Sequence, residues 1–324
     1  MSADINLESW CDSLFRPVSK LTLNALPVKT PWVRTMKCLI PADELDIALG
    51  LPVSNSLLFC GPSGTGKQTL ALATAASLAP SGYQLVRITG ADFDTQLRAK
   101  FQTLFQRISP ENPMVIVAEE LDSCTDLQNL GMCLGQMAYV CKIQSLPVIL
   151  IVIHEDEEEL PQELRRNLSV CRFTLPDKDE RIAFFESPIA RDIPLQNGLS
   201  ARDLALESDG LQFRQLIQSL RFMKLRVKEK ALDKYKKHYD QAAFAIKSRE
   251  ITVNLQDFRD IVHRLKVPAK EAAAPVQVVS YMPAPAAAAV PLAQDAASKP
   301  DSHAEKLAKA QNANDFFDAL FDGI

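Results

Sequence analysis

The sequence has no paired cysteine motif, no long hydrophobic run and no strong excess of one charge. Its seven cysteines include no CxxC pair, which favours free thiols in a reducing compartment over a disulfide framework. The longest apolar run, LPVILIVIH from Leu146, is too short to cross a bilayer and predicts a buried strand. The N-terminal MSADINLESW has no signal-peptide pattern. We therefore expect a cytoplasmic protein, or a nuclear one if the source is eukaryotic, that does not enter a membrane.

From Ser56 onward, strand-like apolar stretches alternate with helical stretches. The helical stretches are LALATAASLA, which consists of strong helix formers, residues 97–108, whose apolar residues fall on one helical face, and residues 127–143. The strand-like stretches are SLLFC, YQLVRITG, MVIVAEELD and VILIVIHE. This alternation predicts an α/β fold with a parallel sheet that helices cover on both faces.

After Pro176 only helical patterns remain, at residues 177–186, 200–207, 211–239 and 255–265. They predict a small all-helical unit. The Ala/Pro-rich stretch that follows cannot build a packed core and predicts a flexible linker. The predicted organisation is an N-terminal segment at 1–40, an α/β domain at 41–176, a helical unit at 177–265, a linker at 266–300 and a C-terminal peptide at 301–324.

The stretch GPSGTGKQTL has the pattern of a phosphate-binding loop between a predicted strand and a predicted helix. Its glycines allow successive N–H groups to point at an anion, and Lys67 supplies a cation for the β and γ phosphates. This context predicts an ATP site. The predicted binding residues are Gly61, Pro62, Ser63, Gly64, Thr65, Gly66, Lys67, Gln68 and Thr69.

Gln68 stands where the pattern requires Ser or Thr, whose hydroxyl binds Mg²⁺. The glutamine side chain is longer than that of Ser or Thr, so its amide oxygen is less well fixed than a hydroxyl. Thr69 does not replace that hydroxyl, because one helix residue rotates a side chain by about 100°. The sequence predicts Mg²⁺ as a cofactor that Gln68 positions weakly.

The stretch VIVAEELD predicts a strand that brings carboxylates to its C-terminal end, as in the second motif of phosphate-loop proteins. A metal ion needs a carboxylate there, and an attacking water needs a base. We predict that Glu119 binds Mg²⁺ and that Glu120 activates water.

Together these motifs resemble the AAA+ ATPase family over about residues 49–265. VILIVIHEDEEELPQELRR is similar to the family's stretch from the sensor 1 strand to the arginine finger, and ESDGLQFRQLIQSL to the lid segment that carries the sensor 2 arginine. The resemblance implies a helical lid and an oligomer of identical or different AAA+ subunits. By the same resemblance, Arg166, with Arg165 beside it, reaches into a neighbour's site, Arg214 lies near the phosphates, and Glu155 or His154 takes the sensor 1 position.

Three residues depart from the family pattern around the γ phosphate, namely Gln68, Glu119 and Glu155. They suggest slow, conditional or absent hydrolysis. The retention of catalytic candidates argues for turnover, and these candidates are Lys67, Glu120, Arg166 and Arg214. In addition, ITGADFDTQLR is shorter than the pore loop of polypeptide-threading members, and Phe93 is its only aromatic, which argues against a processive unfoldase.

Two further segments suggest partners. Residues 221–239 form a basic stretch whose charges favour either nucleic acid or an acidic protein, or simply a solvated face. The C-terminal NDFFDALFDGI predicts an acidic amphipathic helix on a tether that docks into a groove of a protein partner. The apolar docking residues are Phe316, Phe317, Leu320, Phe321 and Ile324.

Three functional hypotheses follow. The preferred one is an AAA+ ATPase that binds ATP at subunit interfaces, oligomerises and remodels or recruits a partner macromolecule. The second is an ATP-binding scaffold with little or no hydrolysis. The third is a DNA-associated AAA+ loader or regulator that acts through the basic helix.

Overall fold

The structure is a computed structural model that describes residues 6–28, 30–39, 55–93, 96–236 and 238–266. The chain divides into two units, Met1–Lys266 and Val267–Ile324. The stretch PADELDIALGL also predicts a short helix at 41–51. This predicted helix, the predicted linker and the predicted docking peptide lie outside the described residues, so these interpretations stay predictions. In the described ranges, no helix is long and apolar enough to cross a membrane.

A mixed, mostly parallel sheet forms the centre of the first unit. Its strands follow the order β1-β3-β4-β5-β2-β6, and only the short edge strand β1 runs antiparallel, against β3. The strands are β1 (Phe15–Arg16), β2 (Asn55–Cys60), β3 (Gln84–Thr89), β4 (Met114–Glu119), β5 (Val148–Ile153) and β6 (Ser169–Arg172).

Helices cover the sheet on both faces, as the alternation predicts. Leu57, Val115 and Ile149 pack in one cluster with Leu70, while their chain neighbours on the other face are also buried. Burial on both faces explains why these strands are continuous apolar runs. The helices of this part are α1 (Leu7–Leu14), α2 (Pro31–Leu39), α3 (Lys67–Leu78), α4 (Leu97–Gln106), α5 (Leu127–Ile143) and α6 (Gln162–Arg166).

The N-terminal segment packs against the α/β domain. It contributes α1, β1 and α2, and Trp10 of α1 packs edge-on against Phe93, with 5.5 Å between ring centroids. Phe93 is only 1 % exposed, so it is a core residue and not an aromatic that faces a pore. The edge strand β1 is two residues long, which is too short for an alternation pattern to predict.

The lid is all-helical, as the sequence predicts. Asp177, Ser200 and Asn254 cap helices through reciprocal hydrogen bonds with the residue three positions later, and Phe184 and Phe258 lie in the core of the lid. The helices are α7 (Lys178–Glu186), α8 (Ala201–Glu207), α9 (Phe213–Lys234), α10 (Tyr239–Lys247) and α11 (Leu255–Leu265).

The predicted single helix at 211–239 is corrected by the structure. It ends at Lys234, and α10 is a separate helix that the sequence pattern did not predict. The break comes at Lys236, whose φ of 48° is left-handed and cannot continue a right-handed helix.

An ion-pair network at Asp257 joins α11 to α9. The Asp257 side chain is 7 % exposed, and its carboxylate pairs with Lys230 and accepts a hydrogen bond from Arg226 Nε at 3.3 Å. Burial raises the pKa of Asp257, but the hydrogen bonds from Lys230, the Asn254 backbone and Arg226 outweigh burial, so its pKa lies below the usual value. Two charges of the predicted basic stretch are therefore engaged inside the lid.

We predict that Asp257→Asn lowers the free energy of unfolding by about 1–3 kcal/mol near pH 7, because it leaves two cations without their partner. Because the folded-state pKa of Asp257 is lowered, its contribution to stability is fully present above the unfolded pKa of about 4. The difference from the native protein should therefore shrink below about pH 4 and vanish once the pH lies below the folded-state pKa. Urea denaturation at several pH values measures both effects.

Glu250→Gln is the matched control, since it removes the exposed pair between Glu250 and Lys234 on the same lid. This variant should unfold like the native protein. Equal destabilisation by both substitutions would contradict the role given to Asp257.

Candidate functional site

The phosphate loop leads from β2 into α3, and three of its glycines adopt left-handed φ values. Gly61 has a φ of 129°, and its N–H donates to the carbonyl oxygen of Glu155 at 2.9 Å. A Cβ on Gly61 would overlap the carbonyl oxygen of Phe173. Only glycine satisfies both conditions, so the loop is held against the ends of two other strands of the sheet.

The N-terminus of α3 is prepared for an anion. Gly66, with a φ of 95°, precedes the helix, and no side chain caps the first N–H groups. Those N–H groups and the positive end of the helix dipole favour a phosphate. Lys67 is 7 % exposed and donates from Nζ to the carbonyl oxygens of Gly61 and of Pro62, the latter at 2.8 Å. Burial lowers the pKa of the Lys67 amine, and the Glu155 carboxylate opposes this shift.

A cleft of about 970 Å³ lies beside this loop and collects most of the predicted site residues. It also includes residues that the sequence reasoning did not assign, namely Asp122, Glu159, Ile217, Gln218 and Arg221. The predicted residues that line it are Ser63, Gly64, Gly66, Lys67, Gln68, Thr69, Glu119, Glu120, His154, Glu155 and Arg214.

Glu119 is held from two sides. Its Oε2 accepts from Gln68 Nε2 at 2.8 Å, and its Oε1 accepts from Arg87 Nε at 3.1 Å within an ion pair. Both carboxylate oxygens of Glu119 and the amide nitrogen of Gln68 are thus engaged within the protein. In the part of the chain that the structure describes, no group of three or more His, Cys, Asp or Glu side chains is arranged to hold a metal ion. As it lies, Glu119 offers Mg²⁺ no carboxylate oxygen that lacks a protein partner, so Glu119 does not fit the ion. The metal role of Gln68 stays a prediction.

Glu120, the next residue, has a different environment. Its backbone is left-handed, with a φ of 52° and a ψ of 42°, and its carbonyl oxygen accepts from Gly90 N–H at 3.2 Å and Ser123 N–H at 3.0 Å. For a residue other than glycine this conformation costs about 1–3 kcal/mol, and such strain is often kept where a site requires it. The Glu120 side chain lines the cleft and is exposed.

The end of β5 brings His154 and Glu155 to the cleft wall. His154 Nδ1 lies 2.7 Å from the carbonyl oxygen of Asp156, and its backbone N–H donates to Phe59 at 3.1 Å. Glu155 is exposed, and its carboxylate acts electrostatically on Lys67. Both candidates for the sensor 1 position thus lie at the cleft, and the choice between them stays open.

The lid closes the cleft through the N-terminus of α9. Arg214 N–H donates to the carbonyl oxygen of Gly64 at 3.2 Å, so the lid touches the phosphate loop directly. Ile217, Gln218 and Arg221 follow Arg214 at helical spacings of three, four and seven, which places them on the same helix face. That spacing is the sequence signal from which the second lid arginine, Arg221, could have been found.

A smaller apolar pocket of about 120 Å³ adjoins the loop at Thr65, Gly66 and Thr69. The N-terminal segment and the lid supply its walls, which sequence reasoning did not predict. The apolar lining residues are Leu26, Pro27, Val28, Val33, Leu70, Phe173, Phe184, Ile189, Phe213 and Ile217.

Arg166 does not line the cleft of its own chain. It ends α6, is exposed and has no hydrogen bond or ion pair with the described residues. Its neighbour Arg165 is partly buried, and its Nε finds no partner there. The structure therefore separates Arg166 from the other catalytic candidates, and its role stays a prediction.

The sheet, the phosphate loop and the helical lid define a phosphate-loop nucleotide-binding protein. Residues 57–175 match the family model described as ATPase family associated with various cellular activities (AAA). Residues 57–175 are therefore similar to an AAA domain, which confirms the AAA+ resemblance.

Solved structures of similar fold support this result. A structure described as the structural basis for katanin self-assembly is 18% identical, with a TM-score of 0.55, over 83% of this chain and 95% of that chain. The FIGL-1 AAA domain is 15% identical, with a TM-score of 0.61, over 84% of this chain and 92% of that chain. The FIGL-1 AAA domain in complex with ADP is 15% identical, with a TM-score of 0.58, over 84% of this chain and 94% of that chain. No curated protein sequence matches this chain.

We predict that Gly61→Ala destabilises the fold by about 1–3 kcal/mol more than Gly198→Ala, because only the first substitution adds a collision to backbone strain. Gly198 also has a left-handed φ, of 88°, but a methyl group added there would meet no atom within 4 Å. Urea denaturation of both variants provides the comparison. Equal decreases in the free energy of unfolding would show that the backbone at Phe173 can move to accommodate the added methyl group.

Proposed function

We propose that this chain is an AAA+ ATPase that binds ATP in the cleft between the sheet and the lid. The observation that carries the proposal is the convergence of four separate segments on one space, namely the phosphate loop, the end of β4, the end of β5 and the N-terminus of α9. The apolar pocket beside the loop suits a flat nucleobase. The ADP bound to the FIGL-1 AAA domain supports the same interpretation for this fold.

Each side chain has a physical reason for its proposed role. Lys67 and the free N–H groups of α3 bind the β and γ phosphates, and Arg214 and Arg221 offset negative charge from the lid side. Glu120 accepts the proton of the attacking water, because it is the solvent-open carboxylate at the strand end. The strained backbone of Glu120 supports a functional position for its side chain.

Assembly is the second part of the proposal. Arg166 lies outside its own cleft with its guanidinium free of partners among the described residues, which suits a contact with a neighbouring subunit. The self-assembly of katanin, a protein of similar fold, supports oligomerisation. Assembly and hydrolysis would then remodel or recruit a partner macromolecule in the cytoplasm, with the C-terminal peptide as its proposed docking element.

A scaffold that binds ATP with little or no turnover is the second candidate. The observation that favours it is the engagement of Glu119 by Arg87 and Gln68. The DNA-associated hypothesis gains no such support, because Arg226, Lys230 and Lys234 are paired with acidic residues of the lid. It stays a prediction.

We predict that ATP turnover per chain rises with protein concentration and falls about 100-fold in Glu120→Gln, which removes the base. Lys67→Ala should lose ATP binding. An equimolar mixture of Lys67→Ala and Arg166→Ala should recover part of the turnover that each variant lacks alone, because the first supplies the arginine and the second the intact loop. Steady-state phosphate release measures all of these rates.

Arg202→Ala serves as the control, since Arg202 is an exposed arginine of the lid that does not line the cleft. Turnover that is independent of concentration, or that is unaffected in Arg166→Ala, would refute shared sites. ATP binding without turnover at every concentration would favour the scaffold.

The scaffold candidate makes its own prediction for Gln68→Thr. This change introduces the hydroxyl that the phosphate-loop pattern requires and removes the hydrogen bond to Glu119. If Gln68 limits ATP turnover, the turnover rate should therefore rise about tenfold or more. Gln128→Thr makes the same substitution at the second residue of α5, an exposed position outside the cleft. Unchanged turnover in Gln68→Thr would mean that Gln68 is not the limiting residue.

A further inference from the structure

Glu119 differs from the other carboxylates that line the cleft. Within the described cleft lining, Glu120, Asp122, Glu155 and Glu159 are exposed, whereas the Glu119 side chain is 12% exposed. Water screens the exposed carboxylates, but a sheltered one needs a counter-charge or a bound cation. The local charge where Glu119 lines the cleft therefore depends on the group that pairs with this carboxylate.

That counter-charge comes from Arg87. Its Nε donates to Glu119 Oε1 at 3.1 Å, and a second guanidinium nitrogen pairs with the same oxygen. Gln68 Nε2 donates a hydrogen bond to Glu119 Oε2 at 2.8 Å. A carboxylate with a guanidinium on one oxygen and an amide on the other has its charge matched and both of its oxygens engaged by the protein.

The sheet itself builds this pair. β3 and β4 are parallel neighbours in which Arg87 lies opposite Val117 and Thr89 lies opposite Glu119. Arg87 and Glu119 are thus diagonal neighbours on one face, because side chains alternate along a strand. Two adjacent, hydrogen-bonded strands hold the pair, so its geometry does not depend on a mobile loop.

Mg²⁺ has demands that this arrangement does not meet. The ion requires oxygen ligands at about 2.0–2.1 Å in nearly octahedral geometry. At Glu119 it would meet the positive charge of Arg87 within a few ångströms. Moving Glu119 away would break its ion pair with Arg87, in which the Glu119 side chain is 12% exposed and the Arg87 side chain 36% exposed.

We propose that Arg87 is the built-in counter-cation of Glu119, and that nucleotide binding to this cleft is consequently independent of Mg²⁺. The inference rests on the proposed nucleotide-binding function and deepens it. The phosphate charge is met by Lys67, Arg214 and Arg221 and by the N-terminus of α3. Arg87 acts through Glu119 and is therefore a positioning residue.

Equilibrium binding of ATP and ADP to the full chain, with excess Mg²⁺ or with excess EDTA, tests the proposal. Isothermal titration calorimetry gives the two dissociation constants without relying on turnover. For the native protein we expect the ratio of the constants to lie within about threefold. In Arg87→Gln, Glu119 regains an uncompensated charge, so Mg²⁺ should strengthen binding by about tenfold or more.

Two variants make the comparison specific. Arg87→Lys keeps the positive charge and should return the ratio toward that of the native protein. Arg107→Gln removes an arginine of similar exposure that pairs with Glu8 and Asp12 away from the cleft, and it should leave the ratio at the native value. Circular dichroism melting curves confirm that each variant is folded.

The outcomes separate the inference from the function on which it rests. Native binding that weakens about tenfold or more in EDTA would overturn the inference while upholding nucleotide binding, and this result needs no variant. Arg87→Lys behaving like Arg87→Gln would also overturn it, since charge would then not be the cause. No binding of ATP or ADP in either buffer would overturn the proposed function, and the inference would fall with it.

Discussion

The contact between the phosphate loop and the rest of the chain is the constraint on which this structure depends. Gly61 N–H donates to the end of β5, and the Gly64 carbonyl oxygen accepts from Arg214 N–H at the start of the lid. The loop is thus held by the sheet on one side and by the lid on the other. The backbone of the phosphate loop thus contacts both the sheet and the lid.

Two adjacent glutamates at the end of β4 have different environments. Glu119 is still part of the strand, so its side chain lies on the same sheet face as Arg87 of β3 and pairs with it. Glu120 has left the strand in a left-handed conformation, and its side chain opens onto the cleft. A single change of backbone conformation therefore separates a sheltered, neutralised carboxylate from a free one. The proposed independence of nucleotide binding from Mg²⁺ rests on this division.

Much of the fold could be predicted, because the central strands and helices carry local patterns. The strand leading to the phosphate loop, the helix at 127–143 and the helix at 255–265 were predicted nearly to their ends. The sequence did not predict β6 or α10. Strand β6 is four residues long and is stabilised by pairing with β2, which no local pattern reveals. The separate helix α10 depends on a left-handed residue at Lys236 that propensity alone does not indicate.

The sequence by itself determined the phosphate loop, the acidic strand end, the alternation of strands and helices and the all-helical lid, because each is written in adjacent or periodic residues. Only the tertiary structure decided that Arg87 pairs with Glu119, that Arg221 joins Arg214 at the cleft and that the N-terminal segment lines an apolar pocket. These contacts join residues far apart in the chain, and strand order and helix packing decide which of them meet.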